Sequence, residues 1–184
     1  MADNNCGISR MGTTVLWSGS VTFENYVKFR VEIEAAFKEA TAEGKDKVIN
    51  FEICSGGGIG AVGLATYDVL KSYARQGVQI NTIASGCVQS AAVFLFLAGL
   101  KRMAFPSAFF LIHSSWNYLS AKFNEFDLDR EKNNLVYLNS FSEKIVREAG
   151  GDKLSFDKFN ALYREEKNFG AQEALELGFI HEII

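Results

Sequence analysis

Two spacings of apolar side chains alternate along the chain. Residues 13–18 are a short apolar run around Val15 and Trp17 and predict a strand. Residues 22–43 change rhythm. Tyr26, Phe29, Ile33, Ala36, Phe37 and Ala40 recur at three and four, which predicts a helix, and Gly44 stands just past it as a C-cap glycine would. Residues 47–54 predict a second strand, which runs into Ser55-Gly-Gly-Gly58 and then a helix over 61–74 closed by Gly77. A third strand, from Val78, passes a glycine turn at Gly86 and reaches Ser90. Residues 91–99 follow, a helix-length segment with no polar side chain.

The second half repeats the alternation. Residues 101–105 and 108–113 predict strands, the latter too apolar to be exposed on either face. Residues 114–125 have no clear period, so an insertion or mobile loop is expected there. Residues 126–149 predict a long helix with Leu135, Leu138, Phe141 and Ile145 on one stripe, ending at Gly150-Gly151. A last helix over 171–177 stops at Gly178 and leads into a terminal strand over 179–184. Strands alternating with helices argue for an α/β fold with a mostly parallel sheet. No linker-like stretch divides the 184 residues, so one domain is expected over 1–184, with residues 1–12 as a flexible N-terminal segment.

Composition narrows the function. The net charge of −3 and the lack of a basic run argue against a nucleic-acid surface. No segment has the length and apolarity of a membrane span, and the N-terminus lacks a signal-peptide layout. The three cysteines (Cys6, Cys54, Cys87) cannot all pair and show no metal spacing, so a reducing, cytoplasmic setting without metal or cofactor is expected. Only one proline is present, which marks Pro106.

Chemistry concentrates at Ser90. A serine at the mouth of an apolar helix sits beside the positive end of the backbone dipole, and the N–H of Ala91 is not needed by the helix. That supplies a nucleophile and an oxyanion donor one residue on; an N-cap serine has the same sequence signature. The Ser55-Gly-Gly-Gly58 turn admits positive φ and can turn backbone N–H groups toward a ligand. It lacks the Lys-Ser/Thr of a phosphate loop, so half of an oxyanion hole is the better reading, with a tight glycine turn as the plain alternative. His113, one of two histidines, ends an apolar strand and is a candidate base. His181 reads as surface. Cys54 and Cys87, in or beside strands, read as small buried apolar residues.

Five stretches together resemble the proteolytic subunit of the Clp protease. Gly86-Cys-Val-Gln-Ser90-Ala matches the family's serine motif, and Pro106-Ser-Ala-Phe-Phe-Leu-Ile-His113 its histidine motif. Ser55-Gly-Gly-Gly58 corresponds to its glycine turn, Ala65-Thr-Tyr-Asp68 to the helix that follows, and residues 171–180 to its closing motif. The resemblance implies a fold shared with crotonases, with a protruding handle helix over about 124–150. It implies a serine endopeptidase: Ser90 as nucleophile, His113 as general base, and the Gly58 and Ala91 N–H groups as oxyanion hole. It also implies a double-ring homo-oligomer, heptameric in each ring, that encloses peptide or unfolded-protein substrates, and it leaves room for an AAA+ unfoldase partner.

The match departs in places. Counting back from Ala171, the family's third catalytic residue, an aspartate, falls on Glu166, with Glu165 and Asn168 as alternatives. The turn lacks the family's proline and has Gly56 instead. Trp116 and Tyr118 follow His113 where the family has other residues. Two other readings compete: a crotonase-type enzyme whose oxyanion hole acts on acyl thioesters, and an inactive ring subunit that keeps the fold.

Overall fold

The computed structural model describes residues 7–117 and 122–184. Eight strands form one sheet in the order β1-β2-β3-β4-β5-β8, with β6 joining at β4 and β7 pairing to β6. The strands are β1 Ile8–Met11, β2 Thr14–Ser18, β3 Val48–Ser55, β4 Gln79–Gln89, β5 Lys101–Ala104, β6 Phe109–Leu111, β7 Phe169–Gly170 and β8 Glu182–Ile183. Every pairing from β2 through β8 along the main path is parallel, as is β4 with β6; only β1–β2 and β6–β7 are antiparallel. The helices are α1 Phe23–Ala40, α2 Gly60–Arg75, α3 Ala92–Leu97, α4 Glu125–Gly150, α5 Phe156–Glu165 and α6 Ala171–Glu176. The α/β fold and the long helix expected from periodicity are both present.

Several boundaries differ, each for a physical reason. Helix α1 stops at Ala40 with Thr41 as its C-cap, whose hydroxyl donates to the Phe37 carbonyl at 2.8 Å; Gly44, at φ 77°, serves the loop beyond rather than the cap. Gly86 is not a turn. Strand β4 continues through it, with a shift of register against β3 between Ala84 and Val88, and a Cβ there would lie 2.7 Å from Cys54 Sγ, so glycine allows close approach of β3. Strand β6 is not buried on both faces: Phe110 is fully buried and its neighbour Phe109 is 38% exposed. The segment 1–12, expected to be flexible, contains β1; its first six residues, with Cys6, lie outside the described ones, as does Tyr118.

Strand β4 organises the sheet. Its first half, Asn81 to Ala84, pairs with β5, and its last residues, Cys87 to Gln89, pair with β6. Two aromatic clusters hold this spine. Trp17, Phe29 and Phe51 join β2, α1 and β3, with ring centroids 5.7 and 5.3 Å from Phe29. Phe96, Phe110, Phe169 and Phe179 join α3, β6, β7 and the chain after α6, with successive centroids 5.3, 5.6 and 5.1 Å apart. Each fully buried phenylalanine contributes on the order of 2–3 kcal/mol by removal from water.

Arg102 on β5 is buried, and its guanidinium is held by carbonyl oxygens. It donates to Phe179 O at 2.6 Å, Gly178 O at 2.9 Å, Ala149 O at 3.0 Å and Gly99 O at 3.4 Å. The last turn of α4 and the chain ends after α3 and α6 therefore meet on one cation, where helix C-termini favour positive charge. Replacing Arg102 with Met strands these carbonyls in the core. A loss of about 3 kcal/mol is expected, read as a lower denaturant midpoint with an unchanged slope. A midpoint equal to that of the parent would show that the carbonyls find other donors.

Candidate active site

The parallel register builds the site. Gln89 on β4 lies opposite Leu111 on β6, and Ser55 on β3 opposite Val88 on β4. The carboxyl ends of three adjacent strands therefore release Gly56–Gly58, Ser90 and His113 at the same edge of the sheet, the usual place for ligands in open α/β sheets. The three segments line one cleft of about 660 Å³. Leu135, Leu138, Ser142 and Val146 of α4 supply the opposite wall, and Trp116 and Glu131 stand at the same cleft.

Ser90 joins β4 to α3 with φ 54°, a left-handed conformation that is uncommon for a residue with a Cβ. Its backbone is fixed on both sides. The Ser90 N–H donates to Leu111 O at 2.9 Å and its carbonyl accepts from Val93 N at 3.0 Å. Gly57, at φ 94°, fits beneath it: a Cβ on Gly57 would fall 2.6 Å from both Ser90 Cβ and Gln89 O. A left-handed residue at a sharp strand-to-helix turn is the backbone geometry of a nucleophile elbow, and Ser90 lines the cleft.

Two residues that line the same cleft, Gly58 and Ala91, have backbone N–H groups left over by the fold. Gly58 makes a parallel bridge with Val21, in which Val21 N donates to Gly57 O and Ile59 N donates to Val21 O, both at 2.8 Å. This uses the atoms flanking Gly58 and turns Gly58's own N–H away from Val21. Ala91 precedes α3, so no helical carbonyl reaches its N–H. Among the described residues neither N–H finds an acceptor. Such a pair can receive an oxygen that gains negative charge.

His113 is half-buried, and its Nδ1 lies 2.7 Å from the carbonyl oxygen of Ser114. A carbonyl oxygen only accepts, so in the neutral ring this contact places the proton on Nδ1 and leaves the Nε2 lone pair available.

The three candidates for a third partner are placed differently. Glu166 is the C-cap of α5, exposed, with φ 49°, and its N–H donates to Leu162 O. Glu165 is the exposed last residue of that helix. Neither lines the cleft with Ser90 and His113. Asn168 is nearer: its Oδ1 accepts from Gln89 Nε2 at 2.7 Å, which ties the residue before Ser90 to the chain entering β7. The sequence spacing missed α5 altogether, and that helix decides where both glutamates lie. Cys87 is no rival to Ser90, because burial and the neighbouring Cys54 thiol push its pKa up, away from a reactive thiolate. Among the described residues no cluster of metal-ligating side chains occurs, and no helix is long and apolar enough to cross a membrane.

With this geometry in view, comparison with known proteins decides the family. Residues 24–184 match the family described as Clp protease. The chain belongs to the Clp protease family. It is similar to the ATP-dependent Clp protease proteolytic subunit 2 of Mycolicibacterium paratuberculosis, with 31% identity over 145 residues, 78% of this chain and 69% of that protein. Its fold matches a solved mutant of ClpP1 from Listeria monocytogenes with a TM-score of 0.76 at 19% identity, over 94% of this chain and 91% of that one. Both segments that carry Ser90 and His113 lie within the residues that match the Clp protease family.

The left-handed turn gives a test independent of activity. Ser90→Gly relieves the φ penalty and is expected to unfold about 0.5–1 kcal/mol higher than Ser90→Ala, which keeps it. Gly57→Ala drives a methyl into Gln89 and Ser90 and is expected to cost on the order of 2–4 kcal/mol. Urea unfolding of the three variants reads both differences. Equal stability of Ser90→Gly and Ser90→Ala would mean that position 90 carries no strain.

Proposed function

We propose that this protein is a serine peptidase that cleaves peptides or unfolded protein segments inside a ring of its own copies. The reading is carried by one observation. A left-handed Ser90 shares a cleft with His113 and with two backbone N–H groups that have no acceptor among the described residues.

The chemistry is acyl transfer. Ser90 Oγ attacks the peptide carbonyl while His113 Nε2 takes its proton. The carbonyl oxygen becomes an oxyanion held by the N–H groups of Gly58 and Ala91. The C–N bond breaks as His113 returns the proton to the leaving amine. A water then loses a proton to His113, attacks the ester and frees Ser90. No step needs a metal or cofactor. The apolar wall from α4, with Leu135 and Leu138, suits an apolar substrate side chain.

An activated serine separates this reading from its competitors. A fluorophosphonate probe labels Ser90 only if His113 activates it; a crotonase-type site and an inactive subunit both leave it unlabelled. Ser90→Ala is expected to abolish both labelling and hydrolysis of a short fluorogenic peptide while leaving assembly unchanged by light scattering. Peptide turnover that survives in Ser90→Ala would exclude the serine mechanism. In the same assay Glu166→Gln is expected to keep most of the activity, since the carboxylate lies outside the cleft lining. A thousandfold loss, on the order of that seen when a triad acid is removed, would instead bring Glu166 to His113 in the working enzyme.

Assembly is supported by exposed apolar stripes. On α1, Phe23, Val27 and Val31 recur every fourth residue and each is 64% exposed. On α4, Phe126, Val136 and Tyr137 are exposed on the side away from the core. Apolar stripes of this kind mark interaction surfaces, and a closed ring covers them in every copy at once. An AAA+ unfoldase would deliver folded substrates to such a chamber, whereas short peptides need none. Native mass spectrometry is expected to show multimers, with Val27→Glu/Val31→Glu shifting them toward monomer. Monomer alone at micromolar concentration in the parent would overturn the ring.

A further inference from the structure

One peptide unit near the site is gripped from both ends. Its carbonyl, that of Ser114, accepts from His113 Nδ1 at 2.7 Å. Its N–H, that of Ser115, donates to Asn139 Oδ1 at 2.9 Å. Asn139 lies on α4, between Leu138, which lines the cleft, and the core-facing end of the helix. The phenol of Tyr163 on α5 is buried beside the same N–H, and that burial raises its pKa. By geometry, however, its oxygen makes no hydrogen bond among the described residues, so Asn139 is the holder.

We propose that Asn139 is a positioning residue for the catalytic histidine, acting through the Ser114–Ser115 peptide unit. The proposal rests on the peptidase reading above. Amide planarity makes the coupling rigid: fixing the N–H fixes the direction of the C=O on the same unit. A peptide whose N–H is hydrogen-bonded also has a more polarised carbonyl, hence a better acceptor for Nδ1–H. The chain of contacts runs from α4 through Asn139 Oδ1, the Ser115 N–H and the Ser114 C=O to His113 Nδ1. It leaves Nε2 free for the Ser90 proton. Here a neutral, untitratable group does the orienting that a carboxylate does in a Ser-His-Asp triad. The serine-and-glycine signals of the sequence give no hint of it, because Asn139 lies 24 residues from Ser115 and reads as one polar position of a helix.

The test uses the full chain in its native assembly. Asn139→Leu keeps the size and removes the acceptor; Asn139→Asp keeps an acceptor oxygen. In Asn139→Leu the kcat for a fluorogenic peptide is expected to fall ten- to a hundredfold, the scale of a small misplacement of a reacting group, with KM within about twofold. Asn139→Asp is expected to recover at least half of the parent kcat. The second readout does not depend on turnover. The chain has two histidines, and their contacts demand opposite tautomers: His113 Nδ1 faces a carbonyl, whereas His181 Nδ1 accepts the Arg102 N–H at 3.1 Å. With ¹⁵N-labelled histidine at about pH 8, above the ordinary histidine range, the parent is expected to show one Nδ1–H and one Nε2–H ring. In Asn139→Leu the first becomes a mixture and the second is unchanged. A parent-like kcat in Asn139→Leu, or a loss of kcat with the Nδ1–H tautomer intact, overturns the proposal. If fluorophosphonate fails to label the parent, the peptidase reading fails instead. The spectra then still decide: an Nδ1–H ring in Asn139→Leu as pure as in the parent rejects the positioning role.

Discussion

The site depends on the backbone at Ser90 being held in a conformation that it does not prefer. A left-handed serine costs about 1–2 kcal/mol, and it persists because neighbours leave it no alternative. The Leu111 carbonyl takes its N–H, Val93 takes its carbonyl, and Gly57 has no side chain to push it away. The same three constraints define the cleft. Leu111 ends the strand that leads into His113, and Gly57 belongs to the turn that bears the Gly58 N–H. Ser90, His113 and the Gly58 N–H are thus positioned by one knot of backbone rather than by separate side-chain contacts.

That knot is stable because it lies where the sheet is best braced. Strand β4 exchanges β5 for β6 at mid-length, so its carboxyl end is flanked by β3 and β6 and covered by α3. Phe110, behind the site, touches aromatic rings from α3, β7 and the chain after α6. A short three-residue strand such as β6 has few ladder bonds of its own. Its position is set instead by this aromatic cluster, and His113 inherits that position.

The alternation of strand and helix was legible because apolar spacing changes cleanly from one element to the next. Ser90, Gly58, Ala91 and His113 were legible as candidates because strand-to-helix junctions and glycine turns are local patterns. What escaped depended on distant partners. Helix α5 was missed because Phe159, Leu162 and Tyr163 are interleaved with Asp157, Lys158, Arg164 and Glu165, so no apolar period stands out. The missed helix also sets the place of Glu166, whose left-handed cap conformation has no glycine or asparagine to announce it. The change of partner along β4 leaves no mark in a sequence, since buried strands look alike whichever neighbour they pair with.

The contact between Gln89 and Asn168 spans 79 residues, and with it comes an order in time. On the ribosome, Ser90 and its glycine turn emerge long before the segment that braces them. Phe169 and Phe179, which complete the cluster behind β6, come later still. A partly made chain therefore carries Ser90 without that support. The cleft around Ser90 is complete only after the closing segment has docked, so the last residues made decide when the site can form.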